Sequence, residues 1–321
     1  MYLTNKCLFL GWVVALLCGC STGFLGLAPL GDRKEYAAAR DLYSQGLYQQ
    51  AIVELNAYIS KTKNVKRREA RAYRLLGESY EQLGQYNKAL DTYLEALEFH
   101  PKNVALLVAA ANLYQKTELL DQAQSLYEKA LHEEPTHLEA LSGLAHNYHL
   151  IGFNAKARTI YEQFFKQNPQ AEPLYRARYA QTFLAQRDYQ QAFILLSQLV
   201  SEYPDNPDFW LLSAQAAYGL KNWNEALENI NTALWLAPNR RDLLATKALW
   251  LYQNNQGEES LKTATKILEQ DPSNQLALFI QAINWEQKNQ KTKAKKQLER
   301  VVQLDKNTFV GKVAAQILEF L

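Results

Sequence analysis

The sequence predicts an all-α chain built as a stack of similar helix pairs, and three observations carry that prediction. Pro101, Pro135, Pro169, Pro204, Pro238 and Pro272 follow one another at intervals of 34 or 35 residues, a fixed period that marks a stacked supersecondary unit. Within each interval apolar residues fall at i, i+3, i+4 and i+7, the spacing of one helical face. The composition, 48% hydrophobic and 12% aromatic, suits a packed chain rather than a disordered one.

The interval 70–103 shows how each element arises. Tyr73, Leu76, Gly77 and Tyr80 form the apolar face of a first helix, and Ala89, Tyr93 and Ala96 that of a second. Gly77 and Ala89 are small where two antiparallel helices must approach closely. Gly84 sits just past the first helix, where a left-handed residue often closes the last turn. Pro101 stops the second helix, because it lacks an N–H and pushes the preceding residue out of the helical region.

The same phase runs along the sequence, through Leu107, Ala111, Tyr114, Ala123 and Tyr127, then Leu141, Ala145, Tyr148, Ala157 and Tyr161. Phe164 replaces a small residue there. After one inserted residue come Tyr179, Ala180, Phe183, Ala192 and Leu196, then Trp210, Ala214, Ala226 and Ala233, then Leu244, Ala248, Leu251 and Ser260. A further interval with Leu278, Ala282, Trp285 and Ala294 lacks the proline, and Ala38, Ala39, Leu42, Gly46, Ala51 and Leu55 mark a degenerate first one.

These positions and residue types resemble the tetratricopeptide repeat. The resemblance covers roughly 32–321 and implies a right-handed superhelical solenoid of about eight helix pairs, at 32–65, 70–103, 104–137, 138–171, 173–206, 207–240, 241–274 and 275–308. Residues 309–321 are expected to form a capping helix that lays Phe309, Val313, Ile317 and Phe320 over the last pair, since a terminal unit needs a cover.

All three cysteines, Cys7, Cys18 and Cys20, lie in the first twenty residues, so the folded part has no disulfide or cysteine metal site. Lys6 and the apolar run 8–17 precede Leu17-Cys18-Gly19-Cys20-Ser21, which resembles the lipobox of bacterial lipoprotein signal peptides. That resemblance implies a signal peptide at 1–19, lipidation of Cys20 and a linker over 20–31. Ser21 after the cysteine implies sorting to the outer membrane, facing the periplasm. A simple secretion signal and an uncleaved membrane helix are the alternatives, the second because no charge appears between Lys6 and Asp32, a stretch long enough to span a bilayer. The short apolar core and the helix-weakening residues after Cys20 favour the signal.

Thirty-five basic against 33 acidic residues give a net charge of +2, too small a field to recruit nucleic acid. No G-x-S-x-G, H-E-x-x-H or phosphate-binding loop occurs, so neither an enzyme nor a cofactor is expected. His146 and His149 stand i, i+3 on one helix, a spacing that suits a metal. With only Glu139 nearby as a third ligand, a polar groove surface is expected instead and no metal. Two basic clusters, Lys61, Lys63, Lys66, Arg67 and Arg68 and then Lys291, Lys293, Lys295 and Lys296, are expected on solvated faces, with contact to anionic head groups as the functional alternative.

In the tetratricopeptide family the first helix of each pair lines a groove that holds the ligand. Non-core positions of these helices are Arg33, Arg40, Arg71, Arg74, Glu78, Asn112, His146 and His149 in the N-terminal half, and Leu184, Leu211, Tyr218, Tyr252, Phe279 and Ile283 in the C-terminal half. A charged and polar lining therefore gives way to an apolar and aromatic one. The carboxylate clamp that holds chaperone tails in this family is not matched, since neither Arg74 and Glu78 nor Val108 and Asn112 continue with the lysines and asparagines it needs. The expected function is a lipid-anchored periplasmic scaffold binding an envelope protein or peptide, pilotin-like or an adaptor of cell-envelope machinery. A polysaccharide-guiding module of an export complex and a cytoplasm-facing membrane adaptor are the alternatives.

Overall fold

A computed structural model describes residues 30–61 and 69–321, which contain seventeen α-helices and, among the described residues, no strand. Two compact units divide after Phe99. Cys20 and the whole segment 1–29, the side chain of Arg33, and Lys63, Lys66, Arg67 and Arg68 lie outside the described residues.

The first unit holds two helix pairs, α1 (Leu30–Ser44) with α2 (Tyr48–Lys61) and α3 (Ala70–Gln82) with α4 (Tyr86–Phe99). Their core joins Ala39, Ile52, Leu55 and Tyr58 to Ala72, Leu75 and Leu76. Gly77 faces the ring of Tyr93, and a Cβ at Gly77 would overlap that ring, so glycine is required by the close approach.

The second unit runs α5 (Val104–Lys116), α6 (Leu120–Glu133), α7 (Leu138–Ile151), α8 (Asn154–Gln167), α9 (Pro173–Ala185) and α10 (Tyr189–Glu202). It continues with α11 (Pro207–Gly219), α12 (Trp223–Leu236), α13 (Arg241–Gln253), α14 (Gly257–Gln270), α15 (Gln275–Gln287), α16 (Lys291–Leu304) and α17 (Phe309–Leu318). First helices start on polar caps where the sequence supplies them. Asn103 accepts from the Leu106 N–H at 3.0 Å, and Asn274 from that of Ala277 at 3.1 Å; each satisfies one of the donors a helix start leaves open. Second helices stop two residues before the proline, and the residue between, Glu134, Asn168, Tyr203, Ala237 or Asp271, has ψ between 66° and 88°, outside the helical region that a following proline disfavours.

The turn inside each pair has a left-handed residue at one fixed place. Gly46, Gly84 and Gly152 occupy it with φ of 76°, 70° and 95°, but Glu118, Arg187, Lys221, Asn255 and Asn289 take the same conformation with φ between 57° and 62°. The capping bonds of the turn hold them there, for example Lys221 N–H to the Tyr218 carbonyl at 2.9 Å and Asn222 N–H to the Ala217 carbonyl at 2.9 Å.

The cap corrects the face expected for 309–321. Phe309 and Phe320 are 82% and 88% exposed; of the expected face Ile317 does pack inward, and α17 joins it with Val310, Gly311, Ala314 and Leu318, with Leu321 beyond it, onto Leu278, Ala282, Leu298 and Val301. Gly311 decides the register: it lies against the Asp305 carbonyl, where any Cβ would overlap backbone, and this close approach turns its side of the helix to the core.

A left-handed conformation costs an ordinary L-residue roughly 1–2 kcal/mol, asparagine less. Lys221→Gly should therefore stabilise the protein by up to about 1 kcal/mol after the entropy cost of glycine is subtracted. Asn255→Gly should change it much less, and thermal melts of the two variants against the parent check this.

Candidate partner-binding groove

The first helices of the second unit lie side by side, α5 against α7, α7 against α9 and α9 against α11, and then α13 against α15. Between α11 and α13 the approach is made by side chains. Tyr218 stacks on Trp250 with ring centroids 4.6 Å apart and planes 15° from parallel, while Trp223 meets Tyr218 edge-on at 4.8 Å. The Tyr218 hydroxyl donates to Gln253 Oε1. A cavity of about 570 Å³ opens beside this stack, floored by Leu184, Gln215, Tyr218, Ala245, Leu249 and Leu276. Its lining is mainly apolar, with Tyr189 and Thr246 at the sides.

One edge of the cavity is charged. Asp242 lines it and is gripped by Arg240 through two bonds of 3.1 and 2.6 Å, while the same guanidinium reaches Asp208 at 2.6 Å. The bond from Arg240 holds the Asp242 carboxyl below its usual range. This edge is therefore ionised at neutral pH and fixed in geometry.

Of the residues expected to line the C-terminal groove, the structure places only Tyr218 and Leu184 in this cavity. Leu211 packs against the core of Ala214, Ala226 and Ile230, and Phe279 against the core under α17. Tyr252 is half-buried, its phenol pushed up by burial and then by Glu286, and Ile283 is half-buried on α15. Leu249, Ala245, Gln215 and Leu276 were not singled out in the sequence, although they occupy the same counted positions of their units as residues that were. Trp250 is 7% exposed; it belongs to the core with Leu243 and Ala214 and also stacks on Tyr218.

Towards α5 and α7 the same face is polar and partly paired within itself. Tyr127 donates to Asn112 Oδ1 at 2.6 Å, and Asn112 donates to Glu139 at 2.8 Å. His146 and His149 stack with centroids 6.4 Å apart, and His149 Nδ1 meets Asn154 Oδ1 at 2.6 Å. Among the described residues no group of three or more His, Cys, Asp or Glu residues could hold a metal.

In the first unit the arginines are ion-paired locally. Arg40 lies 3.7 Å from Asp41 and Arg74 lies 3.4 Å from Glu78. Arg71 bonds Glu69 and covers the Tyr36 ring at 4.7 Å. Lys61 pairs with Glu35 at 2.7 Å. Lys291, Lys293, Lys295 and Lys296 stand exposed on α16.

Models of the tetratricopeptide repeat match residues 70–103, 118–181 and 183–249, together over half of the chain. The chain belongs to the tetratricopeptide repeat family. It is 25% identical over 230 residues to the TPR repeat-containing protein YpiA of Bacillus subtilis, covering 72% of this chain and 45% of that protein. It is 22% identical over 216 residues to tetratricopeptide repeat protein 8 of Caenorhabditis elegans, covering 67% and 42%. The chain thus spans less than half the length of these curated relatives. Among solved structures, a tetratricopeptide repeat protein from Parabacteroides merdae superposes with a TM-score of 0.57 at 17% identity, over 91% of this chain and 98% of that one. PilW, a type IV pilus biogenesis factor, gives 0.59 at 14%, over 63% and 94%. The Cut9-Hcn1 hetero-tetramer of APC/C gives 0.60 at 14%, over 92% and 57%. At these identities the likeness is one of fold, the solenoid of tetratricopeptide helix pairs.

His146 supplies a pH-dependent test of how this face is built. Burial first, then the charges of Arg178 and His149, lower its pKa to about 4, below the 6.5 of an unfolded histidine. Below pH 6.5 the unfolded chain takes up a proton that the folded one refuses, so stability falls as the pH drops. Between pH 6.5 and 5 the loss is on the order of 1–2 kcal/mol. Denaturant midpoints at the two pH values should draw together in His146→Gln; an unchanged separation would place the effect elsewhere.

Proposed function

We infer that this tetratricopeptide repeat protein is a scaffold for protein–protein interaction. We propose that it is anchored by a lipid on Cys20 to the outer membrane, faces the periplasm, and holds an envelope protein or peptide against the Tyr218–Trp250 stack. The observation that carries the binding reading is the stack itself with its open apolar cavity. Aromatic rings offer large contact area at small entropy cost and dominate the energetics of interfaces, and here they are pre-ordered by each other and by Gln253. The fixed charge of Asp242 at the cavity edge favours a partner segment that places a basic or hydrogen-bond-donating group beside its apolar residues. The lipobox-like Leu17-Cys18-Gly19-Cys20-Ser21 supports the anchor, and the shared fold with PilW, itself a pilus biogenesis factor, is compatible with an assembly role. Scaffolds of this family generally present surfaces rather than reacting sites, and the reading is accordingly a binding one.

A photo-reactive side chain at Gln215 or Leu249 should give a discrete cross-linked product in cells, and one at Arg40 should not. Leu249→Glu should reduce the product from Gln215 at least tenfold while the helical melt is unchanged. A strong product from Arg40 alone would move the reading surface to the first unit.

The anchor is checked independently by mass. Intact mass spectrometry of the membrane fraction should show a protein that begins at an acylated Cys20, since each buried acyl methylene adds about 0.8 kcal/mol of membrane affinity. Cys20→Ala should leave the signal uncleaved or the protein unlipidated. A native protein that retains residues 1–19 would overturn the anchor.

A further inference from the structure

We propose that the cavity between α12 and α14 is a receptor for one doubly charged phosphate group, held by Lys247, Lys262 and Lys266. The cavity, of about 780 Å³, opens on the opposite side of α13 from the Tyr218–Trp250 stack. Leu234, Pro238 and Leu244 form its apolar wall, and all three lysines border it. Elsewhere in the second unit the bases that reach a neighbouring element have found acids, Arg176 in Glu202 at 2.5 Å, Arg240 in Asp208 at 2.6 Å and Arg241 in Asp271 at 2.9 Å. The three lysines of the cavity have no ion pair or hydrogen bond among the described residues, although Glu259 and Glu269 border the same space.

Lys247 is half-buried on α13, and the other two stand exposed on α14. Burial lowers the pKa of the Lys247 amine; Glu259 counters this, and Lys266 and Lys262 add to it. An anion set among ammonium groups that crowd one another and have lost part of their water relieves both penalties. The sequence of α14 bounds the size of that anion. Glu259, Lys262, Lys266 and Glu269 follow at i, i+3, i+7 and i+10, along one helical face. A rise of about 1.5 Å per residue sets the two lysines about 6 Å apart along the axis and the two glutamates about 15 Å apart. The positive zone is one anionic group wide and closed at both ends by carboxylates, which repel an extended polyanion and admit a compact one. A phosphate monoester brings up to two charges and three terminal oxygens, which suit three ammonium groups better than a carboxylate does. On α12 the side chain of Asn231, also unbonded among the described residues, borders the cavity with a neutral donor.

The site is separate from the groove, and its test involves no partner there. The phosphate has two sources, a soluble monoester or a lipid headgroup. The full-length protein on phosphatidylcholine vesicles is acetylated briefly with N-hydroxysuccinimidyl acetate, and modification is read lysine by lysine by mass spectrometry. One arm adds glycerol 3-phosphate, a second places phosphatidic acid in the vesicles, and a third adds acetate at matched ionic strength. Saturable protection of Lys247, Lys262 and Lys266, at least fivefold, is expected in one or both phosphate arms, the stronger arm naming the source. Acetate should protect none of them, and Lys291 and Lys293 on α16 should react equally throughout. Lys262→Gln, an exposed change, should leave the thermal melt unaltered and raise the phosphate needed for half-protection of Lys247 at least tenfold. No protection in either phosphate arm, equal protection by acetate or of the α16 lysines, or a Lys247 response unchanged in Lys262→Gln would each overturn the proposal.

Discussion

The close approach of two helices across a single alanine is the constraint on which the other features rest. Ala51, Ala89, Ala123, Ala157, Ala192, Ala226 and Ala294 stand at equivalent places in the second helices and are 0–1% exposed. Ser260 takes the place once and returns its hydroxyl to the Ala248 carbonyl at 2.7 Å, so even there no larger group is admitted. A bulkier side chain at this seam would separate the pair, because close-packed interiors accept little added volume. With the pair fixed, each first helix commits one face to its partner and leaves the opposite face free of packing demands. A helical array of this kind binds from that uncommitted face.

What the face presents is governed from behind, by the residue one turn after the alanine. In the second unit this is Tyr127, Tyr161, Leu196, Ile230, Ala264 and Leu298, all 0–1% exposed. A buried phenol requires an acceptor, and near the tyrosines the first helices carry Asn112 and His146. Where aliphatic residues take over, no acceptor is required, and the first helices can carry Gln215, Ala245 and Leu249 beside the aromatic stack. The change from a polar to an apolar lining is thus coupled to the chemistry of the core. Tyr161 is the last of the tyrosines and the one whose acceptor the fold does not supply.

The repeat was legible in the sequence because packing leaves it no freedom: a proline recurring at a constant interval, an alanine at each seam and an apolar face of fixed phase all record backbone geometry. Three features escaped that kind of reading. The left-handed turn residue is visible as Gly84 but hidden as Glu118 or Lys221, since capping bonds hold it whatever its side chain. The cap offered two candidate faces, and Phe309 and Phe320 suggest the wrong one until Gly311 is seen against Asp305. The groove escaped because its residues are defined by register between neighbouring pairs: Trp250 lines the candidate cavity only because Tyr218 of the preceding pair lies across it.

The stack also shapes the groove it furnishes. On the other side of α13, about 780 Å³ of open space lies between α12 and α14, lined by Leu234, Lys247, Lys262 and Lys266. The desolvated Lys247 amine there is held below its ordinary pKa. α13 joins α11 through a shared core of Ala214, Ala217, Leu243 and Trp250, and the contact of Tyr218 with Trp250 and Gln253 adds to that junction. The same side chain thus lines the cavity proposed to receive a partner and belongs to the junction beside it. Dispersion between stacked rings is short-ranged, so a segment that displaces Tyr218 would loosen the junction, whereas one that lies against the outer edge of the stack leaves it closed. Under the proposed binding reading, a partner that adds to the stack is favoured over one that inserts into it.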